Sequence, residues 1–258
     1  MKYALIGEKL GHSYSKIIHE KYFSIKSMDS SYDLIEIPSD ELEARVKLMV
    51  NDGYKGFNVT IPYKIDLMNM CSELCEEAEK IGSVNTINIS GGKMTGYNTD
   101  YHGLRLALEY NGVDIKDKAV VVLGTGGASK AVVALCEDLG AKEITLVSRS
   151  PKNDGKYKNI SYSSISGGDV VINTTPVGMY PNIDASPYDK LEPFKVAVDL
   201  IYNPSETLFL KKAKDLGLKT VNGLYMLVAQ ALFSESIWNR EKLDIDAINK
   251  IYAEMGGK

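Results

Sequence analysis

The sequence predicts an α/β protein of two α/β domains, and three observations predict it. Short apolar, strand-like runs alternate with amphipathic helical segments along nearly the whole chain. A length of 258 residues is enough for two modest cores. Residues Ala119 to Ser150 spell out a complete strand, glycine-rich turn, helix and second strand.

That third stretch is the most informative. The apolar run Ala119 to Leu123 meets Gly124-Thr125-Gly126-Gly127-Ala128-Ser129, and apolar residues then recur at Val132, Val133, Leu135, Cys136 and Leu139. Gly140 is placed to stop the helix as a left-handed cap, and Glu143 to Val147 supplies the returning strand of a βαβ unit. Such a unit presents the N–H groups and positive dipole end of a helix to a phosphate, and glycines at 124, 126 and 127 allow close approach by a pyrophosphate. The pattern departs from G-x-G-x-x-G, because Ser129 stands where the third glycine would be. Where NAD-binding folds place an acid for the ribose 2′-hydroxyl, this chain has Ser148-Arg149-Ser150. A guanidinium and two hydroxyls suit a 2′-phosphate, so the unit is expected to be a Rossmann-like domain preferring NADP(H) over NAD(H).

Composition narrows the partners. Hydrophobic residues make up 44% and charged residues 25%, as in ordinary globular proteins. A net charge of −4 gives no general attraction to nucleic acid or an anionic membrane, so an anionic ligand needs a local site. Cys71 and Cys75 lie four apart in a helical pattern, Cys136 is alone, and none has the spacing of a zinc site; reduced thiols and no metal are expected. No apolar run approaches the ~18 residues of a membrane span, and the N-terminus lacks a signal-peptide core. A cytoplasmic protein is the expectation.

The N-terminal half opens with a short buried strand, Lys2 to Ile6, and a loop to His12-Ser13-Tyr14-Ser15. A helical segment follows, which places Ser13 and Ser15 at a helix start; their hydroxyls either cap backbone N–H groups or join them in holding a carboxylate. Asp33 to Ile37 alternates as a strand, Pro38-Ser39-Asp40-Glu41 opens a helix ending before Gly53, and Gly56 to Thr60 is a third strand. Pro62 ends that strand, which projects Thr60 and Lys64 at a carboxyl end, where open α/β sheets bind ligands. Glu73 to Ile81 is expected as a helix capped by Gly82, and Ser83 to Ile89 pairs with Met94 to Asn98 around Ser90-Gly91-Gly92-Lys93. Thr99-Asp100 precedes a helix from Tyr101 to Tyr110, with Asp100 in the N-cap position, and the domain boundary is placed near residue 100.

Beyond the βαβ unit, residues 150–168 carry Pro151, Asn153-Asp154-Gly155 and no long amphipathic pattern, so the second crossover helix is expected to be absent or reduced to a turn. Two buried strands, Asp169 to Thr174 and Lys195 to Leu200, lead into Thr175-Pro176-Val177-Gly178-Met179 and Ile201-Tyr202-Asn203-Pro204. Ser205 is expected to cap a helix stopped by Gly217, Leu218 to Val221 is the last strand, and Asn222-Gly223 opens a long apolar helix. The final helix shows Ile248, Ile251, Tyr252 and Met255 on one face.

Taken together, the strand-end segments resemble the shikimate dehydrogenase family over nearly the whole chain. The likeness is carried by His12 to Ser15, Asn58-Val59-Thr60-Ile61-Pro62-Tyr63-Lys64, Gly82-Ser83-Val84-Asn85-Thr86, Gly96-Tyr97-Asn98-Thr99-Asp100, the glycine turn, Asn173 to Met179, and Gly223 to Gln230. It implies a substrate-binding domain of residues 1–100 with 225–258, and an NADP(H)-binding domain of residues 101–224. The implied reaction is the reversible, NADPH-dependent reduction of 3-dehydroshikimate to shikimate on the route to the aromatic amino acids, with a homodimer among the expected assemblies.

The same resemblance implies residue roles. Lys64 matches the catalytic lysine and Asp100 its acidic partner; Ser13 and Ser15 match residues that bind the substrate carboxylate, and Thr60, Asn85, Tyr202 and Gln230 match residues around the ring. Gly124, Thr125, Gly126, Gly127, Ala128, Ser148, Arg149, Ser150, Asn153, Leu200 and Gly223 match cofactor positions. His12, His19 and His102 are assigned to packing or capping, since no nucleophile triad accompanies them. Lys16 stands where the family commonly has proline, Ser148 where it has asparagine, and the 150–168 stretch is short beside the expected adenine site. Two other readings compete. One is an NAD-using quinate/shikimate dehydrogenase, opposed by Arg149 and by Ser15 in place of a threonine; the other is a non-catalytic ligand sensor, opposed by the retention of Lys64 and Asp100.

Overall fold

In the computed structural model, which describes residues 1–11, 13–152 and 155–257, two six-stranded sheets organise the chain. The N-terminal elements are β1 (Lys2–Gly7), α1 (Ser15–Lys26), β2 (Ser31–Glu36), α2 (Leu42–Asn51), β3 (Tyr54–Val59), α3 (Asp66–Met70), β4 (Glu73–Leu74), α4 (Glu76–Ile81), β5 (Thr86–Ser90), β6 (Lys93–Tyr97) and α5 (Thr99–Tyr110). Their sheet has the order β2-β1-β3-β5-β6-β4, parallel through β2, β1 and β3 and antiparallel from β3 to β5 to β6. One core packs Ile6, Phe57, Val59 and Ile87 of this sheet against Val46, Met49 and Leu67 of the helices.

The C-terminal elements are β7 (Ala119–Leu123), α6 (Gly127–Asp138), β8 (Glu143–Val147), β9 (Lys158–Ile160), β10 (Val170–Asn173), β11 (Val196–Asp199), α7 (Leu208–Asp215), β12 (Lys219–Val221), α8 (Leu224–Asn239) and α9 (Ile245–Glu254). Every strand pair in the order β12-β11-β10-β7-β8-β9 is parallel. That is the doubly wound order in which β7 and β10 flank the reversal of winding, the place where such sheets bind dinucleotides. The chain divides into two compact units, Met1–Gly103 with Val228–Lys258, and Leu104–Leu227.

Several elements depart from the sequence reading, each for a tertiary reason. Glu73–Leu74 does not begin a helix: it pairs with Thr95 and Gly96 of β6, and the helix starts only at Glu76. The cysteines therefore do not share a helix. Cys71 ends α3, while Cys75 caps α4 by accepting from the Ala78 N–H, and both are free thiols. Helix α3 has no counterpart in the sequence reading. Thr99 and Asp100 lie inside the first turn of α5, so Asp100 is not its N-cap. Thr207, not Ser205, caps α7, because its hydroxyl both accepts from Leu210 N–H and donates to the buried Asp199. The short crossover contains a strand the sequence did not announce, β9 on the edge beside β8, followed by a 3-10 turn at Tyr162–Ser164.

Candidate functional site

In the first unit, a lysine in the turn after β3 and an aspartate at the start of α5 are brought together. Lys64 sits in the turn after β3, held where Thr60 N–H donates to the Ile6 carbonyl, Tyr63 N–H to Thr60, and Val84 N–H to the Lys64 carbonyl. Asp100 is carried in the first turn of α5. The Lys64 ammonium donates to Asp100 Oδ2 at 2.6 Å, with side chains only 21% and 18% exposed. A charge-assisted bond this short and this sheltered fixes the ammonium in direction as well as place.

Behind this pair lies a buried polar net. Asn85 Oδ1 accepts from the Thr99 N–H at 2.7 Å, capping α5 from across the sheet, and Asn85 Nδ2 donates to the Thr99 hydroxyl. The same hydroxyl donates to Gln230 Oε1 at 3.3 Å, and Thr86, Ser234 and Asn58 continue the net inward. Thr99 was not singled out in the sequence, although its place beside Asp100 at a helix start was a usable signal. Thr60 is half-buried at the end of β3.

Ser13 and Ser15 fall at the start of α1. Ser13 Oγ accepts from Ser15 N–H at 3.2 Å, a local turn bond two residues on, while Tyr14, not a serine, stands at the N-cap of α1; Ser15 lies near enough to the Tyr32 phenol to oppose the rise in its pKa. Both serines are half-buried. His12 lies outside the described residues. His19 is fully buried, with Nδ1 2.5 Å from Glu235 Oε1 and its ring stacked on Tyr32, and His102 stacks on Phe233.

In the second unit, the glycine turn runs from β7 into α6. Gly126 is the N-cap and offers no side-chain acceptor to the first-turn N–H groups. A Cβ built on Gly126 or Gly127 meets no atom within 4 Å, so the turn is an open cradle bounded by backbone donors. Thr125 and both glycines are exposed and Ala128 is half-exposed. Ser129 is buried, and its hydroxyl donates to the Gly126 carbonyl at 2.6 Å, closing the turn from within. A hydroxyl tie thus occupies the place where a glycine would only pack. These features fit a pyrophosphate: free N–H groups, a helix dipole and no side chain in the way.

After β8, Ser148 is tied to the edge strand, N–H to the Ile160 carbonyl and hydroxyl to Asn159 Oδ1. Arg149 and Ser150 are exposed, and the guanidinium lies near enough to Tyr162 to oppose the rise in that phenol's pKa. Asn153 lies outside the described residues. Leu200 follows β11, its N–H donating to the Asn173 carbonyl, and Tyr202 is half-buried two residues on. Gly223, at the start of α8, is pressed against the Leu200 and Ile201 backbone.

Asp199 was missed in the sequence. It is fully buried at the end of β11 and accepts from Thr207 Oγ1 at 2.7 Å, Asn173 Nδ2 at 2.9 Å and Ile201 N–H at 3.1 Å. Burial pushes its carboxyl up from 3.8 to about 6, against the lowering effect of those three bonds. A raised folded-state pKa gives stability that is complete below the unfolded pKa and is lost as pH rises through about 6. Thermal unfolding of wild type and Asp199→Asn at pH 4 and pH 7 tests this. Relative to the variant, wild type is expected to lose roughly 2 kcal/mol between the two; a difference independent of pH would show that the carboxyl is not shifted.

Among the described residues no group of three or more histidines, cysteines or acids could hold a metal, and no helix is long and apolar enough to cross a membrane. A parallel, doubly wound sheet with a phosphate-ready turn in one unit, and a sheltered lysine–carboxylate pair in the other, are the parts of a pyridine-nucleotide dehydrogenase. Comparison with known proteins makes this specific. Residues 5–87 match the family described as shikimate dehydrogenase substrate binding domain. The chain is 46% identical over 264 residues to the NADP(+) shikimate dehydrogenase of Clostridium perfringens, covering 98% of this chain and 97% of that protein. It superposes on a chorismate mutase/shikimate 5-dehydrogenase fusion protein from Clostridium acetobutylicum with a TM-score of 0.96, at 46% identity, covering 99% of this chain and 97% of that one. For the Thermus thermophilus shikimate 5-dehydrogenase in complex with NADP(H) and shikimate the TM-score is 0.89, at 29% identity and 97% coverage of both chains. The chain belongs to the shikimate dehydrogenase family.

Proposed function

We propose that this protein catalyses the reversible, NADPH-dependent reduction of 3-dehydroshikimate to shikimate, in the first unit's polyol-binding site and with a cofactor held by the second. The observation that carries the reading is the Lys64–Asp100 pair, set at 2.6 Å on a chain that matches shikimate dehydrogenases from end to end. When bound, the nicotinamide supplies or accepts the hydride. Reduction of the ring ketone also requires a proton at the oxygen, which the Lys64 ammonium donates while stabilising the developing alkoxide. Asp100 keeps that ammonium aimed. In oxidation the lysine, as the free amine, takes the hydroxyl proton.

Ser13 and Ser15 hold the substrate carboxylate in this reading, and Thr60, Asn85, Tyr202 and Gln230 pair with ring hydroxyls. A polyol site of this kind rejects analogues that lack a hydroxyl, because the site's own polar groups are then left unpaired. For the cofactor, Gly124 to Ala128 would receive the pyrophosphate, Ser148, Arg149, Ser150 and Asn153 the adenosine 2′-phosphate, and Leu200 with Gly223 the nicotinamide end. The substrate role falls to residues 1–100 with 225–258 and the cofactor role to residues 101–224. A cytoplasmic location and a homodimer complete the proposal, the latter measurable by sedimentation.

Initial rates of shikimate and quinate oxidation with each nicotinamide cofactor test the function. Turnover of shikimate with NADP+ well above NAD+ is expected. Arg149→Ala should cut kcat/KM for NADP+ about tenfold, the worth of a charge-assisted contact, and leave the NAD+ value nearly unchanged. Faster turnover with NAD+ would remove the cofactor assignment. Absence of any turnover would favour a ligand sensor.

A further inference from the structure

Asp199 has no part in the chemistry above, yet it is the buried acceptor on which two strand-end loops converge. Its Oδ1 accepts from Asn173 Nδ2, at the end of β10, and from Ile201 N–H, in the loop after β11. Asn173 passes the restraint outward: its Oδ1 accepts the Thr175 N–H at 3.0 Å and the Thr175 hydroxyl at 2.7 Å. The Thr175 hydroxyl in turn accepts from Val177 N–H at 3.3 Å. The neighbouring Thr174 donates its hydroxyl to the Leu123 carbonyl, and Thr174 and Thr175 both abut Gly124 at the start of the glycine turn. On the other arm, the Ile201 carbonyl accepts from Gly223 N–H. One carboxylate therefore sets the positions of both loops that leave the carboxyl ends of β10 and β11.

We propose that Asp199 is a positioning residue for the dinucleotide: through Asn173–Thr175 and through Ile201 it holds the two loops that flank the cofactor at the carboxyl ends of β10 and β11. This rests on the second unit binding NADP(H). A buried carboxylate with no charged hydrogen-bond partner is costly, and simple packing would be served better by an apolar residue. Three directed donors instead converge on Asp199 from two loops and a helix cap, which is how a fixed geometry is imposed on irregular backbone.

NADPH titration by fluorescence of wild type, Asp199→Ala, Asp199→Asn and Thr175→Val tests the assignment. Asp199→Ala is expected to raise the Kd for NADPH about tenfold. Asp199→Asn keeps both the volume and an acceptor for Asn173 and Ile201 and is expected to restore the Kd to within about threefold of wild type; the separation from packing comes from Thr175→Val, which removes hydrogen bonds at constant volume. Thr175→Val cuts the relay at its outer end without opening the core, and serves if Asp199→Ala does not fold; it should weaken NADPH about threefold. Wild-type affinity in a folded Asp199→Ala or in Thr175→Val, or an asparagine no better than alanine, would overturn the proposal while leaving the cofactor reading standing. Failure of wild type itself to bind NADPH would overturn both.

Discussion

Lys64→Ala is expected to lower kcat for shikimate oxidation by between about a hundredfold and ten thousandfold, the range a positioned proton donor contributes. The loss should appear in kcat and in kcat/KM together, because the bond to the reacting oxygen strengthens only as charge develops there. The KM for NADP+ should change little, since the cofactor residues proposed above all lie in the other unit. The pair is partly sheltered, so alanine leaves Asp100 without its 2.6 Å partner at modest cost to stability. A melting temperature near wild type beside a collapsed rate would separate chemistry from folding. Asp100→Asn should be milder than Lys64→Ala, because it loosens the ammonium rather than deleting it. Unchanged kcat in Lys64→Ala would end the proton-transfer role.

The parts of this protein that were legible in its sequence are those written locally. The βαβ unit could be read from Ala119 to Val147 because its apolar runs, its glycines and its helix stop at Gly140 all lie within one short stretch and agree with one another. Ser129 looked like a departure and proved to tie the turn shut through the Gly126 carbonyl, a bond no residue pattern states. Lys64 and Asp100 lie 36 positions apart, and nothing in the intervening composition says that they meet. As single residues they are a lysine after a strand and an acid at a helix start, ordinary in both cases; only the family resemblance joined them. What stayed hidden was decided by distant partners. Thr207 outcompetes Ser205 as a cap because Asp199 lies within its reach, and Glu73–Leu74 is drawn out of a helix by the free edge of β6. Asp199 left one signal, an acid inside the apolar run Val196-Ala197-Val198-Asp199-Leu200, which must be buried and therefore must have donors.

Gly223→Ala is expected to damage cofactor binding and folding together, and the reason is space. A Cβ on Gly223 would stand 2.1 Å from the Leu200 carbonyl oxygen and 2.5 Å from its carbon, both of them backbone atoms that cannot swing aside. That backbone is already committed: Leu200 N–H bonds to the Asn173 carbonyl, Ile201 N–H to Asp199, and the Ile201 carbonyl accepts from Gly223 itself. Relief therefore requires moving the end of β11 or the start of α8, at about 1–3 kcal/mol for overpacking. At this chain length that corresponds to a fall in Tm of several degrees. Because the displaced peptides carry Leu200 at the proposed nicotinamide end, the Kd for NADPH should rise by more than about tenfold. Gly126→Ala supplies the contrast, since its Cβ points into open space: it should keep the wild-type Tm and lose affinity only by crowding the pyrophosphate. Calorimetric titration and thermal unfolding of both variants would distinguish the two mechanisms, and a Gly223→Ala protein with native Tm and native NADPH affinity would show that the close approach at Leu200 is not what the glycine is for.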